Sequence, residues 1–271
     1  MSLPSLPDTL RGALWQADQL SSGPRAGEPS GHPLLDAELP GGGWPPGALT
    51  ELLLDGPGRG ELRLLAPLLV RLSQAGRTVV CIDPPCRPHG PALAAWGVDL
   101  ARLLWVHPGT DERSGRHDAV HHACWAADQA LAARCGAVLC WTQEAASQRA
   151  GLDAALRRLH LKAQEGDSLL FLLRPAAAAQ RSSPAPLRVH CQPWPDAPTH
   201  LAVHLLKRRG PAMSQPLRLD TRAWLAEALL QRLDQAQQRP LPPLLPTPSR
   251  SPALPALAPD GVRPVVVSAP A

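Results

Sequence analysis

The sequence predicts an α/β fold: a mainly parallel sheet with helices on both faces and an antiparallel extension at one edge. Three observations carry that prediction. Short runs that are apolar on both faces recur along the chain, as in AVLCWT and SLLFLL. Amphipathic stretches separate them. After residue 186 the helices drop out while strand-like runs continue.

Residues 1–29 are rich in Pro, Ser and Gly around one helix-like patch, 9–20, on which Leu10, Leu14 and Trp15 share a face. Residues 48–55 (ALTELLLD) read as the first strand, followed by the turn Gly56-Pro57-Gly58-Arg59-Gly60 and an amphipathic helix over 61–74. Strands are expected at 77–83, 103–107, 137–142 and 168–173, with helices at 91–97, 117–134 and 147–164. In the last of these helices Leu152, Leu156 and Leu159 recur at helical spacing. Residues 187–194, 201–208 and 217–220 read as strands with no helix between them, hence the antiparallel edge. A final amphipathic helix from 221 to about 237 carries Trp224, Leu225, Ala228 and Leu229. The tail, 240–271, holds ten prolines and three charged residues, which forbids a helix or a ladder and predicts an extended or disordered segment. The expected organisation is an N-terminal segment 1–29, a core 30–239 ending in the amphipathic helix, and the tail 240–271.

Composition narrows the function. Of 271 residues, 25 are arginine and only 2, Lys162 and Lys207, are lysine. A phosphate-cradling P-loop needs a lysine directly after glycine, and neither lysine follows one, so the chain has no intact Walker A loop. A net charge of +4 and a charged fraction of 18% are mildly basic, unlike a protein whose main task is coating nucleic acid. The six cysteines lack zinc-ligand spacing, and Cys81 and Cys140 sit inside apolar strands, where a thiol acts as a small hydrophobe. His117, His121, His122 and Cys124 share one helix, but without a paired ligand motif they predict no metal site. No apolar run reaches the ~18 residues of a membrane span, and no secretory pattern is visible. The expectation is a cytoplasmic protein with reduced thiols and no membrane partner.

One segment is more specific than these patterns. Ser30-Gly31-His32-Pro33-Leu34-Leu35-Asp36, Leu39-Pro40-Gly41-Gly42-Gly43-Trp44-Pro45-Pro46-Gly47 and Thr50-Glu51-Leu52 resemble the approach to the P-loop in the RecA recombinase family. Trp96-Gly97-Val98-Asp99-Leu100 and Leu205-Leu206-Lys207-Arg208-Arg209 resemble later stretches of that family. The likeness spans roughly 30–220 and implies a RecA-like core. In that frame Gly56, Pro57, Gly58, Arg59, Gly60 and Glu61 occupy the P-loop place, one residue short, with Glu61 where lysine belongs and Leu62 where a magnesium-binding hydroxyl belongs. At ~5 Å and an effective dielectric near 20, a carboxylate facing a phosphate costs on the order of 3 kcal/mol. The family's catalytic glutamate, Walker B aspartate and γ-phosphate-sensing glutamine are replaced by Pro85, Trp141 and Arg174. The stretches aligned with its DNA-contacting loops, 141–151 and 175–186, are short or poor in charge and aromatics.

A RecA-like frame with an emptied nucleotide site, together with Leu14-Trp15-Gln16-Ala17-Asp18-Gln19-Leu20, resembles the ImuA family of translesion-synthesis accessory proteins, relatives of the SulA inhibitors. The resemblance implies a non-enzymatic accessory factor of the SOS response. It would bind no cofactor and would work with an ImuB-like inactive Y-family polymerase homologue and a DnaE2-type error-prone polymerase. RecA is a further candidate partner, and DNA contact is expected to be weak or indirect. Two alternatives stay open, a RecA/KaiC-type ATPase with a divergent loop and a SulA-type division inhibitor. Without catalysis, function must lie in surfaces, and the candidates are the basic turn Lys207, Arg208, Arg209 and the helix carrying Trp224; Trp15, Trp44 and Trp224 are weighed as aromatic anchors against core packing, which is the default for each.

Overall fold

The computed structural model describes residues 25–107, 115–142 and 152–225, with only the backbone path of 115–120. The expected helical patch at 9–20, the start of the helix read at 147–164, the final amphipathic helix beyond Leu225 and the tail lie outside the described residues.

Eight strands form one sheet: β1 Leu49–Leu54, β2 Val79–Ile82, β3 Leu103–Val106, β4 Ala137–Trp141, β5 Leu169–Pro175, β6 Leu187–Trp194, β7 Ala197–Lys207 and β8 Leu217–Asp220. Their spatial order is β3-β2-β4-β5-β1-β6-β7-β8. Six strands are parallel, from β3 through β6, and β6–β7 and β7–β8 pair antiparallel. The central strands explain the sequence pattern: every residue of β1 and β4 is buried, so no alternation with polar side chains survives in them. β7 begins four residues earlier than the expected 201, because a tight turn at Asp196, in the left-handed region, already pairs Trp194 with Ala197.

Helices cover both faces. On one lie α1 (Pro33–Asp36), α2 (Glu61–Gln74) and α3 (Gly90–Ala95); on the other lie α4 (Gly115–Ala132) and α5 (Leu152–Gln164). The first core joins Leu64, Leu65, Leu68 and Leu72 of α2 to Leu52, Leu139, Phe171 and Val203 of the sheet. The second joins Ala123, Ala127 and Leu131 of α4 and Leu156 and Leu159 of α5 to Leu49, Val138, Leu170 and Leu172. Residues 25–47 lie along α2. Arg71 of α2 binds the Glu28 carboxylate at 2.9 Å, and Gly31 lies so close to Pro67 that a Cβ there would stand 2.2 Å from that ring. Trp44 is fully buried and packs edge-on against Phe171 at 5.2 Å, which is the core packing expected by default and not an exposed anchor.

Because β5 and β6 flank β1 and run parallel to it, their connection must cross β1 from one end of the sheet to the other. Residues 176–186 make that crossing as a strap on the α5 side, beginning with a short 3₁₀ turn at Ala176–Gln180 and burying Ala178 and Ala185. A stretch that resembles a surface loop in sequence is therefore part of the second core.

Two histidines tie helices to their neighbours in neutral form. Nε2 of buried His32 lies 3.2 Å from the Leu64 carbonyl and donates to it, and Nδ1 of His160 accepts the Leu49 N–H at 3.2 Å. Burial lowers both pKa values below the usual 6.5, with Lys207 and Arg209 adding to the effect on His160. The unfolded chain thus takes up protons first as pH falls. Their contribution to stability is full above about pH 6.5 and is lost as pH drops through the lowered folded values. The urea midpoint should therefore fall between about pH 7.5 and about pH 5.5, and fall less in a His32→Asn/His160→Asn chain. An equal slope in both would contradict this role.

Candidate functional site: a carboxylate seated in the turn after the central strand

In open α/β sheets, ligands gather at the carboxyl ends of the strands, where successive connections leave in opposite directions. Here that place is the end of β1, which sends the chain toward β2 on one side while β6 lies on the other. The turn between β1 and α2 has the strand–glycine turn–helix shape used to bind phosphate. Gly58 and Gly60 both have positive φ, and a Cβ on Gly60 would stand 2.4 Å from a Leu201 methyl, so only glycine fits there.

The occupant of the turn is Glu61. Its Oε1 accepts the Gly58 N–H at 3.0 Å, and the side chain is 4% exposed. Gly60 offers no side chain to cap α2, so the first helical residue folds back and puts its own negative charge at the helix N-terminus. This is the electrostatic place a phosphate would take. Of the two nearby arginines, Arg63 is committed elsewhere and Arg59 is exposed. Arg59 lies alongside Gly56, and Arg63 donates to the Pro198 carbonyl at 2.8 Å and to Thr221 Oγ1 at 3.2 Å. Next to the turn, Asp55 Oδ1 lies 3.1 Å from His190 Nε2, and buried Cys191 has its thiol pushed up to about 12 by desolvation.

Among the described residues, the other strand ends carry side chains that are committed elsewhere. Asp83 ends β2 in the left-handed region, with its pKa raised by burial against the opposing effect of His107, and Pro85 follows. Trp141 ends β4 inside the first core. Arg174, near the end of β5, turns away from the turn altogether: it binds Glu51 Oε1 at 2.7 Å. Glu51 sits in the middle of β1 with no exposure, and its Oε2 accepts Arg188 Nε at 2.7 Å. Arg188 also donates to the carbonyls of Ala178, Ala179 and Arg181, while Ser183 Oγ donates to Glu51 Oε1. This buried cluster clamps the strap to the sheet. Sequence reasoning met Glu51 and Arg174 separately and did not single out Arg188; charges inside largely apolar strands were the available signal that they pair.

The remaining candidates are spread out. Lys207 donates to the Ser183 carbonyl at 3.0 Å, Arg208 pairs with the Glu38 carboxylate, and Arg209 is exposed. Of the three, Arg208 has a charged partner, while Lys207 and Arg209 keep their charge at the surface. Trp224, in a 3₁₀ turn at Arg222–Trp224, packs edge-on against Trp96 at 6.4 Å. Cys124 is buried with its thiol pKa raised by desolvation, His121 and His122 are exposed, and among the described residues no cluster of three metal-ligating side chains forms. No described helix is long and apolar enough to cross a membrane.

A cleft of about 310 Å³ lies at the opposite end of the sheet, lined by Arg25, Arg77, Arg134 and Asp167. Its arginines serve the chain itself. Arg25 and Arg77 reach the carbonyls of Gly166 and Asp167 just past the C-terminus of α5, where cations offset the helix dipole. No protein-family model matches this chain, and no curated protein matches it either.

The clamp makes a direct prediction. Glu51→Gln leaves two guanidiniums buried without a counter-charge and should lower the unfolding free energy by about 3–5 kcal/mol in urea titration. A loss below about 1 kcal/mol would show that the cluster does not hold the strap.

Proposed function

We propose that this chain is a non-catalytic, RecA-like accessory protein of error-prone translesion DNA synthesis in the DNA-damage (SOS) response, acting through contacts with a polymerase-like partner. One observation carries the reading: the Glu61 carboxylate, seated on the Gly58 N–H, fills the phosphate position of a strand–turn–helix unit whose shape is otherwise retained. A nucleotide would have to displace a buried anion and then meet its repulsion, with no lysine in the turn to offset it. The side chains at the strand ends agree, since Trp141 is buried and Arg174 is committed to Glu51. A fold of this kind with no nucleotide chemistry serves as a scaffold, and the ImuA-like sequence features indicate for what.

On this reading the partners are an ImuB-like inactive Y-family polymerase homologue and a DnaE2-type error-prone polymerase, with RecA as a further candidate contact. Arg209 and the segment entered at Trp224 are the places from which such contacts are expected to start. DNA contact in this scheme is weak or indirect. Affinity capture of the full chain from cells with damaged DNA, read by mass spectrometry, should recover the polymerase homologue, and more of it after damage. Recovery of the division GTPase with no polymerase-related protein would overturn the assignment in favour of an inhibitor.

A further inference from the structure

Helices α4 and α5 end side by side. Each leads into a strand, β4 and β5, and these two pair in parallel, so both helix C-termini lie at the same end of the sheet. Further along, Asp128 acts electrostatically on Lys162 and Arg158 on Cys124, which sets 124–128 of α4 beside 158–162 of α5. The inward residues of this pair belong to the second core. On the outward side of the same stretch stand Trp125, 63% exposed, and Leu161, 62% exposed. A lone exposed leucine needs no explanation, but tryptophan is highly buried on average, and here one stands open beside a second large apolar group.

The described residues begin at the foot of this seam. Arg25 shares one cleft with Arg134, just past α4, and with Glu165 and Gly166, just past α5, and it donates to the Gly166 carbonyl at 3.4 Å. Residues 1–24 therefore join the body beside the ends of both helices. Within them Leu10, Leu14 and Ala17 recur at i, i+4 and i+7, and the link Ser21-Ser22-Gly23-Pro24 follows. From Leu20 to Arg25 that link spans up to about 17 Å. At 1.5 Å per residue, Leu161 lies about 8 Å along α5 from Gly166, and Trp125 about 14 Å along α4 from Arg134. Residues 9–20 wound as a helix are about 18 Å long, enough to cover both side chains from that tether.

We propose that residues 9–20 dock as a helix on the seam between α4 and α5 of their own chain, with Leu10, Leu14 and Ala17 against Trp125 and Leu161. A helix this short is marginal in water by itself and needs an apolar face to pack on. The exposed pair supplies one. The short link holds the segment at an effective concentration on the order of mM, so it occupies the seam ahead of a free partner or a second copy. The inference stands apart from the accessory reading, since it concerns contacts within one chain.

Hydrogen exchange of the full chain, read by mass spectrometry, tests it. Amides of residues 10–20 should exchange about tenfold or more slowly than in an unstructured peptide, at every protein concentration. Trp125→Asp/Leu161→Asp should return them to the unstructured rate while β4 and β5 stay protected, because both substituted sites are exposed. As a second readout, Leu14→Asp should raise the reactivity of Trp125 in hydroxyl-radical footprinting and leave that of buried Trp44 unchanged. Exchange of 10–20 at the unstructured rate in the unaltered chain would overturn the proposal, as would protection that survives Trp125→Asp/Leu161→Asp. If that double variant does not fold, Leu14→Asp decides, and unchanged Trp125 reactivity overturns the docking. Protection that grows with protein concentration, alongside a dimer in sedimentation, would overturn it in favour of a second copy as the occupant.

Discussion

The carboxylate of Glu51 is the point on which the centre of the molecule depends. It is wholly buried in β1, with Arg174 of β5 on one oxygen and Arg188 of β6 on the other, both at 2.7 Å. Charges this deep are favourable only when hydrogen bonds saturate them. The strap supplies partners for two of the three groups, with three carbonyls for Arg188 and the Ser183 hydroxyl for Glu51, while the buried Arg174 Nε has none. The relation is reciprocal. A short segment crossing a central strand has polar backbone that no ladder satisfies, and Arg188 satisfies it.

That clamp and the seat of Glu61 follow one pattern, in which several charged groups at positions the RecA resemblance would give to nucleotide or DNA are turned inward, while Arg59 stays exposed. Arg174 lies where the RecA resemblance would place a γ-phosphate sensor, and it holds the sheet together. Residues 176–186 correspond in that resemblance to a DNA-contacting loop, and they are fastened over β1. Arg208 of the basic turn is bound to Glu38.

Much of the architecture was legible in the sequence because parallel strands buried on both faces leave an unmistakable apolar run, as in residues 169–173. That Glu61 opens the helix after the glycine turn, where the RecA resemblance would place a lysine, was legible too. What the residues around it do was not. That Glu61 reaches back to Gly58 depends on the positive φ of Gly60, which a list of residues does not display. The pairings Glu51–Arg188 and Arg208–Glu38 join positions 137 and 170 residues apart, and only the strand order brings them together. Trp44 stands in a glycine- and proline-rich turn, where an anchor competed with the default of core packing, and its packing against Phe171 bears out the default. The strap escaped notice for a related reason. PAAAAQRSSPAP has the composition of a surface loop, and its burial follows from the need to cross β1.

The central claim is that the turn after β1 is closed to nucleotide by the chain's own carboxylate. Isothermal titration of the full chain with Mg-ATP tests it most directly. No saturable heat should be seen, and the thermal midpoint should not move beyond the effect of matched salt. Saturable micromolar binding accompanied by turnover would contradict the account and restore this chain to the nucleotide-driven enzymes.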